Sequence, residues 1–172
     1  MNEFIRYTIL FIRQGSRILL LNRNSAPAKG LWNGVGGKLE AGETPMAGVL
    51  REAWEETGMR LTEVAYKGVV SWESDVSPRG GMHVFTAELP PSLAYPTPVQ
   101  MEEGLLDWKE IEWVLSDHNF GMGEIIPRYL RTVLEDDSCY VHHCVFQQHK
   151  VIAYERRQME PVLAGTVTRK GC

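Results

Sequence analysis

Gly37 to Met59 reads GKLEAGETPMAGVLREAWEETGM, a glycine-opened loop running into a segment that carries the marks of a helix. Gly36 and Gly37 have no side chains, so backbone amides there can approach a ligand closely. Thr44-Pro45 supplies an N-cap followed by the proline favoured in a first turn, and Gly58 supplies the left-handed position that commonly stops a helix. The spacing predicts a helix between them. Met46, Ala47, Leu50, Ala53 and Trp54 recur at three- and four-residue intervals and mark its core face. Glu52, Glu55 and Glu56 are expected on the opposite face. They stand at i, i+3 and i+4, so their charges crowd and weaken the helix by roughly a few tenths of a kcal/mol per pair. A glutamate-rich face is ordinarily no more than a solvated one. Carboxylate oxygens at this density are also hard ligands suited to Mg²⁺ or Mn²⁺, which bind through a few carboxylates together with substrate phosphates. The cluster therefore reads as a metal and phosphate site.

Counting on from Gly37, five residues lead to Glu43 and seven more lead to Arg51-Glu52-Ala53-Trp54-Glu55-Glu56-Thr57-Gly58-Met59. In this order the stretch resembles the complete signature of the Nudix hydrolases, with Ala53 a mild variant where a larger aliphatic is common. A match this long, framed by loop glycines and a helix, is far more specific than a short glycine motif. The resemblance implies an α/β (α+β) fold with a mixed β-sheet sandwiched between helices. It also implies hydrolysis of a nucleoside diphosphate linked to another group, with Mg²⁺ or Mn²⁺ held by glutamates. Carried over residue by residue, Glu52, Glu55 and Glu56 match the metal-ligand positions and the Gly36 carbonyl matches a backbone ligand. Arg51 and Glu43 match the positions that pair to orient the loop against the helix, although an ordinary surface ion pair would contribute little.

Upstream, Trp32-Asn33-Gly34-Val35-Gly36-Gly37-Lys38 resembles the form found in MutT-type enzymes that hydrolyse oxidised purine nucleoside triphosphates such as 8-oxo-dGTP. The asparagine equivalent to Asn33 bonds the purine there, and a side-chain amide that both donates and accepts suits a base edge. Thr8 is expected in the same pocket, the basic loop residues Arg23 and Lys29 are placed to face substrate phosphates, and Gly37 and Lys38 are expected among the substrate-binding residues. Glu103 stands five residues before Trp108, as does a distal glutamate of relatives, and the resemblance makes it a candidate for a further metal ligand or general base, with Glu102 the neighbouring alternative. The proton acceptor stays open among Glu55, Glu56 and Glu103. Phe120 occupies the place of an aromatic that stacks on the base. The two acidic residues that read the purine in the animal enzymes would fall at Met122 and Gly123, and the nearest acid is Glu124. That departure bears on 8-oxoguanine preference and leaves nucleotide hydrolysis intact. Over residues 4 to 155 the chain is more similar to bacterial members with Glu-Gly before the late tryptophan strand.

The 172 residues suit one domain, placed at 1–155, with 156–172 a tail that is either an added strand or partly disordered. Apolar content of 44% and charged content of 23% are those of a globular chain. A net charge of −4 gives no basic footprint for duplex nucleic acid and remains compatible with a small nucleotide substrate approached through a metal. Apolar runs such as Ile9 to Ile12 fall well short of the roughly 20 residues that span a bilayer. No membrane partner is expected. The N-terminus lacks the basic lead and long apolar segment of an export signal, so a cytoplasmic location is expected. Cys139, Cys144 and Cys172 form an odd set without framework spacing, which predicts free thiols. Oligomeric state stays open between monomer and homodimer.

Tyr7 to Ile12 and Arg17 to Leu21 should pair as strands around Gln14-Gly15-Ser16, and Arg23 to Gly30 should be a loop. Val64 to Trp72 and Met82 to Ala87 read as strands, Leu89 to Pro98 as a surface loop, and Glu103 to Trp108 as the entry to another strand. Ile111 to Leu115 reads as a short helix and Gly123 to Leu134 as a second long one, with Ile126, Leu130, Val133 and Leu134 on its stripe. Tyr140 to Phe146 and Val151 to Tyr154 read as a closing hairpin. Zinc held by His142, His143, Cys139 and Cys144 is disfavoured, because neighbours in a strand point to opposite faces. The reaction expected is Mg²⁺-dependent release of pyrophosphate and a monophosphate from an oxidised purine triphosphate. GTP or alarmone hydrolysis, RNA 5′-end pyrophosphohydrolysis and a non-catalytic ligand sensor are the alternatives.

Overall fold

A computed structural model describes residues 4–160. Strands β1 (Ile5–Gln14) and β2 (Arg17–Arg23) form an antiparallel hairpin around Gly15, whose φ of 61° suits a residue without a Cβ. Strand β1 is buried on both faces, Ile9 and Phe11 pointing one way and Leu10 and Ile12 the other. A strand clothed on both sides needs a layer on each, and the chain supplies two. Helix α1 (Pro45–Thr57) lays Val49 and Ala53 against Leu10, Ile12, Leu21 and Phe85. Helix α3 (Ile126–Glu135) lays Ile126, Tyr129, Leu130 and Val133 against Ile9, Phe11, Leu20 and Val84.

Between them β4 (Ala65–Ser74), β5 (Gly80–Glu88), β6 (Val99–Met101), β7 (Gly104–Glu110), β8 (Tyr140–Gln147) and β9 (Lys150–Gln158) complete a sheet ordered β6-β7-β2-β1-β5-β4-β8-β9. The short β3 (Trp32–Asn33) pairs with β2 beside this path. The β1/β5 and β4/β8 pairs are parallel and the others antiparallel, so the sheet is mixed, as expected. A short helix α2 (Ile111–Val114) follows β7.

The ends of α1 are those the sequence dictates. Thr44 Oγ1 accepts the Ala47 amide at 3.2 Å, Pro45 opens the first turn, and Gly58 at φ 72° returns its amide to the Trp54 carbonyl at 2.8 Å. Its faces differ from expectation. Trp54 is 44% exposed, with the Arg60 guanidinium 4.2 Å over its ring, whereas Glu56 is only 5% exposed. The helix is rolled so that Val49, Ala53 and Glu56 face inward. Three- and four-residue spacing fits the stripe through Ala53 and the one through Trp54 almost equally, and packing against the sheet chose the first.

Helix α3 begins at Ile126 rather than Gly123. Residues Phe120–Met122 instead form a 3₁₀ turn capped by Asn119 Oδ1 on the Gly121 amide at 3.0 Å, and Gly123 leaves it at φ 69°. Cys144 is a free buried thiol, Cys139 is disulfide-bonded rather than free, and the expectation for Cys172 lies outside the described residues. Strand β9 runs on through Arg156 to Gln158, while the tail from residue 161 onward lies outside the described residues. No helix among the described residues is long and apolar enough to cross a membrane.

His142 and His143 do face apart. His143 Nδ1 lies 2.9 Å from Ser71 Oγ, and His142 Nδ1 lies 2.8 Å from the Tyr154 hydroxyl in the α3 layer. Burial, with the Arg156 charge adding, pushes the fully buried His142 down to about 4. An unfolded histidine takes a proton near 6.5, so the unfolded chain binds more protons between the two values. The stability this residue contributes is therefore full above about pH 6.5 and falls towards pH 4, by at most about 3 kcal/mol. Urea denaturation of the parent and of His142→Gln at pH 7.5 and pH 4.5 should isolate this contribution: on acidification the parent should lose stability relative to the variant.

Candidate active site

The end of α1, strand β2 and the β6–β7 turn converge on one cavity of about 350 Å³. Leu21 and Met101 form its apolar wall, and Glu52, Glu55, Glu56, Glu102 and Glu103 supply its carboxylates. Sequence reading missed Leu21 and Met101 as lining groups, since nothing distinguishes them from other strand residues. Glu56 is held most tightly. Its Oε2 accepts the Gly36 amide at 2.7 Å, and its Oε1 is buried with no hydrogen-bond partner among the described residues. Burial pushes the Glu56 carboxyl up to about 8, the Gly36 bond opposing and the Glu103 carboxylate adding to the rise. Burial also raises Glu52, against the pull of Arg51.

Arg51 organises the acids on the loop side. Its Nε and Nη2 clasp Glu43 at 3.0 and 2.9 Å, its Nη1 reaches Glu52 at 2.9 Å and Glu55 at 3.0 Å, and Nη2 also donates to the Lys38 carbonyl at 3.2 Å. The fork geometry and the partial burial of both partners lift the Glu43–Arg51 pair above an ordinary surface ion pair. The same contact holds the Glu43 carboxyl below its usual range and raises the guanidinium.

The glycines set the closeness of this packing. Gly36 has φ 144°, and a Cβ there would run into the Thr8 carbonyl. A Cβ on Gly37 would overlap the Glu52 carboxylate, with Oε2 at 2.6 Å. Thr8 on β1 and Asn33 on β3 each leave a buried side-chain oxygen, Oγ1 and Oδ1, without a partner among the described residues. Arg23 places Nη2 3.5 Å from Glu103 Oε2, and its Nε is buried with no partner among the described residues. Lys38 is exposed. Phe120 is 86% exposed on the 3₁₀ turn, where a Cβ on the adjacent Gly121 would lie 3.4 Å from the Trp32 ring. Glu124 accepts the Val151 amide at 3.4 Å, which ties it to β9, while Asn33 Oδ1 stays without a partner.

The donor set suits a hard divalent cation: five carboxylates border one cavity, and the buried Glu56 Oε1 has no donor among the described residues. Among the described residues no three acidic groups already converge as a formed metal site. Arg51 Nη1 bridges Glu52 and Glu55 instead. A second cavity of about 350 Å³ lies among Arg13, Lys67, Glu63, Glu88 and Asp137, with charges of both signs and no orphaned polar atom among its lining residues.

The NUDIX domain family matches residues 4–129. The chain is 28% identical over 158 residues to the oxidized purine nucleoside triphosphate hydrolase of Mus musculus, a match covering 90% of this chain and 95% of that protein. It is 34% identical over 104 residues to a MutT-like protein of Streptomyces ambofaciens, covering 56% of this chain and 65% of that protein. Among solved structures, the mutator MutT protein from Bacillus halodurans superposes with a TM-score of 0.74 at 26% identity, covering 88% of this chain and 96% of that one.

The two loop glycines should separate stability from activity. In Gly36→Ala the new methyl meets backbone at a disfavoured φ, so the protein should lose about 2 kcal/mol or more of stability in thermal or urea unfolding. In Gly37→Ala the methyl meets the movable end of Glu52, so the melting temperature should hold while kcat falls at least about tenfold.

Proposed function

The chain belongs to the NUDIX family, hydrolases of nucleotide phosphoanhydrides, and from that premise we propose that it cleaves purine nucleoside triphosphates, among them oxidised ones such as 8-oxo-dGTP, to the monophosphate and pyrophosphate. The observation that carries this reading is the buried Glu56 carboxylate, one oxygen anchored on Gly36 and the other free within a cavity of five acids. Such a group is expensive to keep unless a cation completes it. The Gly36 carbonyl, Glu52, Glu55, Glu56 and Glu103 would hold Mg²⁺ or Mn²⁺. When bound, the cation neutralises phosphate oxygens and acidifies water for attack on phosphorus.

The remaining steps belong to side chains. Arg51 locks the loop to α1 through Glu43, so the Gly36 carbonyl and Glu56 keep a fixed relation. Glu103, half exposed at the cavity, takes the proton of the attacking water. Lys38 and Arg23 meet the phosphates. Thr8 Oγ1 and Asn33 Oδ1 receive the purine, and support for this lies in their being buried and unpartnered, a state that costs about 1–3 kcal/mol for each group left unsatisfied. Phe120, with most of its ring open, stacks on the base, and Glu124 stands near the end of that turn. The similarity to the mouse oxidized purine nucleoside triphosphate hydrolase, which spans most of both chains, supports the same substrate class and a role in clearing damaged nucleotides that would otherwise enter DNA.

Pyrophosphate release should be measured with Mg²⁺ across dGTP, 8-oxo-dGTP, GTP, a guanosine tetraphosphate and a 5′-triphosphate RNA. The expected result is highest kcat/KM on 8-oxo-dGTP; a ratio to dGTP near one would remove the sanitising role, and no turnover of any compound would leave a ligand sensor. Glu56→Gln should lower kcat at least about a hundredfold with the fold retained.

A further inference from the structure

We propose that Asn24 is a positioning residue for the reaction, holding the β6–β7 turn so that it presents Glu103 to the acidic cavity. This rests on the reading of Glu103 as a working carboxylate. Glu103 arrives from a turn between two short strands, far along the chain from α1, and a turn of that kind needs an external brace to fix one side chain. Asn24 supplies it twice. Its backbone amide donates to the Glu103 carbonyl at 3.0 Å, and its side-chain Nδ2 donates to the Glu102 carbonyl at 2.7 Å.

The brace is itself anchored. Arg23 donates its amide to the Leu31 carbonyl at 3.1 Å and accepts the Gly30 amide at 2.7 Å, and Asn22 Nδ2 bonds the Gly30 carbonyl at 3.1 Å. These bonds close the mouth of the β2–β3 loop, so Asn24 stands on a fixed support. On the other side Arg23 pairs in register with Gly104, whose φ of 151° and close approach to the Asn22 carbonyl admit no side chain. The Glu103 carboxylate meets the Glu56 carboxyl inside the cavity and Arg23 Nη2 at 3.5 Å, the latter an ion pair about half open to water and too long to fix its direction. Its position therefore depends on the backbone of the turn, which Gln100 ties from within, Nε2 donating to the Met101 and Gly104 carbonyls at 3.0 and 3.1 Å, and which Asn24 braces from outside at the Glu102 and Glu103 carbonyls. Residues that orient a metal-holding group commonly change affinity or rate by about tenfold to a hundredfold when removed.

Asn24 is exposed, and Asn24→Ala keeps the backbone bond, so the variant should fold with a melting temperature within about 4 °C of the parent. Asn24→Asp, the same shape without the donor, provides an independent variant. Both should lower kcat on dGTP and 8-oxo-dGTP about tenfold with KM within about twofold, and both should weaken Mn²⁺ binding to the free protein, followed by calorimetric titration, about tenfold. In a Glu103→Gln background the same substitutions should leave Mn²⁺ binding and kcat unchanged. Native kcat and Mn²⁺ affinity in both variants, or equal losses with and without Glu103, would overturn the assignment. A fully active Glu103→Gln would remove the role of Glu103 and the positioning role with it, leaving the hydrolase reading to stand on Glu56→Gln. An impaired Glu103→Gln beside native Asn24 variants would sink the positioning role alone.

Discussion

Five carboxylates around one cavity would repel one another and unravel the end of a helix unless something opposed them, and the opposing charge is Arg51. A single guanidinium reaches Glu43, Glu52 and Glu55 and the Lys38 carbonyl together. Only a planar fork with five donors can do this, so lysine could not replace it. Through these contacts the loop after Gly37 and the exposed side of α1 become one rigid body. The Gly36 amide then closes the inner side by bonding Glu56. Loop and helix are thus joined at two points, one by charge and one by backbone, and the glycines between exist because no Cβ fits there.

The sheet supplies the other half of the frame. Strand β1 is buried on both faces, which obliges one layer of helix on each side, and β2 next to it carries the site at its end. Leu21 lines the acidic cavity, Arg23 pairs with Glu103, and Asn24 braces the turn that bears it. The last residues of one strand therefore connect the hydrophobic core to the chemistry. The Thr8 and Asn33 side-chain oxygens on β1 and β3 are buried with no partner among the described residues.

Much of this was legible beforehand, and the reasons are local. The caps of α1 depend on Thr44, Pro45 and Gly58, residues whose conformational preferences act over a single turn. The alternation in β1 and β2 and the turn at Gly15 likewise need only near neighbours. Trp54 and Glu56 were misplaced because helical periodicity leaves the roll of the helix undecided to within one residue. The start of α3 was misplaced because a 3₁₀ turn capped by Asn119 leaves little trace in a hydrophobic pattern. Cys139 escaped because pairing of cysteines is a fact of three dimensions.

The sequence by itself determined which residues form the acidic box, the order in which they occur and the helix that carries them, because each of these is set within a few residues by backbone preference and side-chain chemistry. The tertiary structure alone decided that Glu56 is buried while Trp54 is exposed, that the β6–β7 turn brings Glu103 to the same cavity, and that Asn24 holds that turn in place. Those outcomes depend on how a helix rolls against a sheet and on which strand ends meet. They are settled by packing between segments distant in the chain, where no local preference reaches.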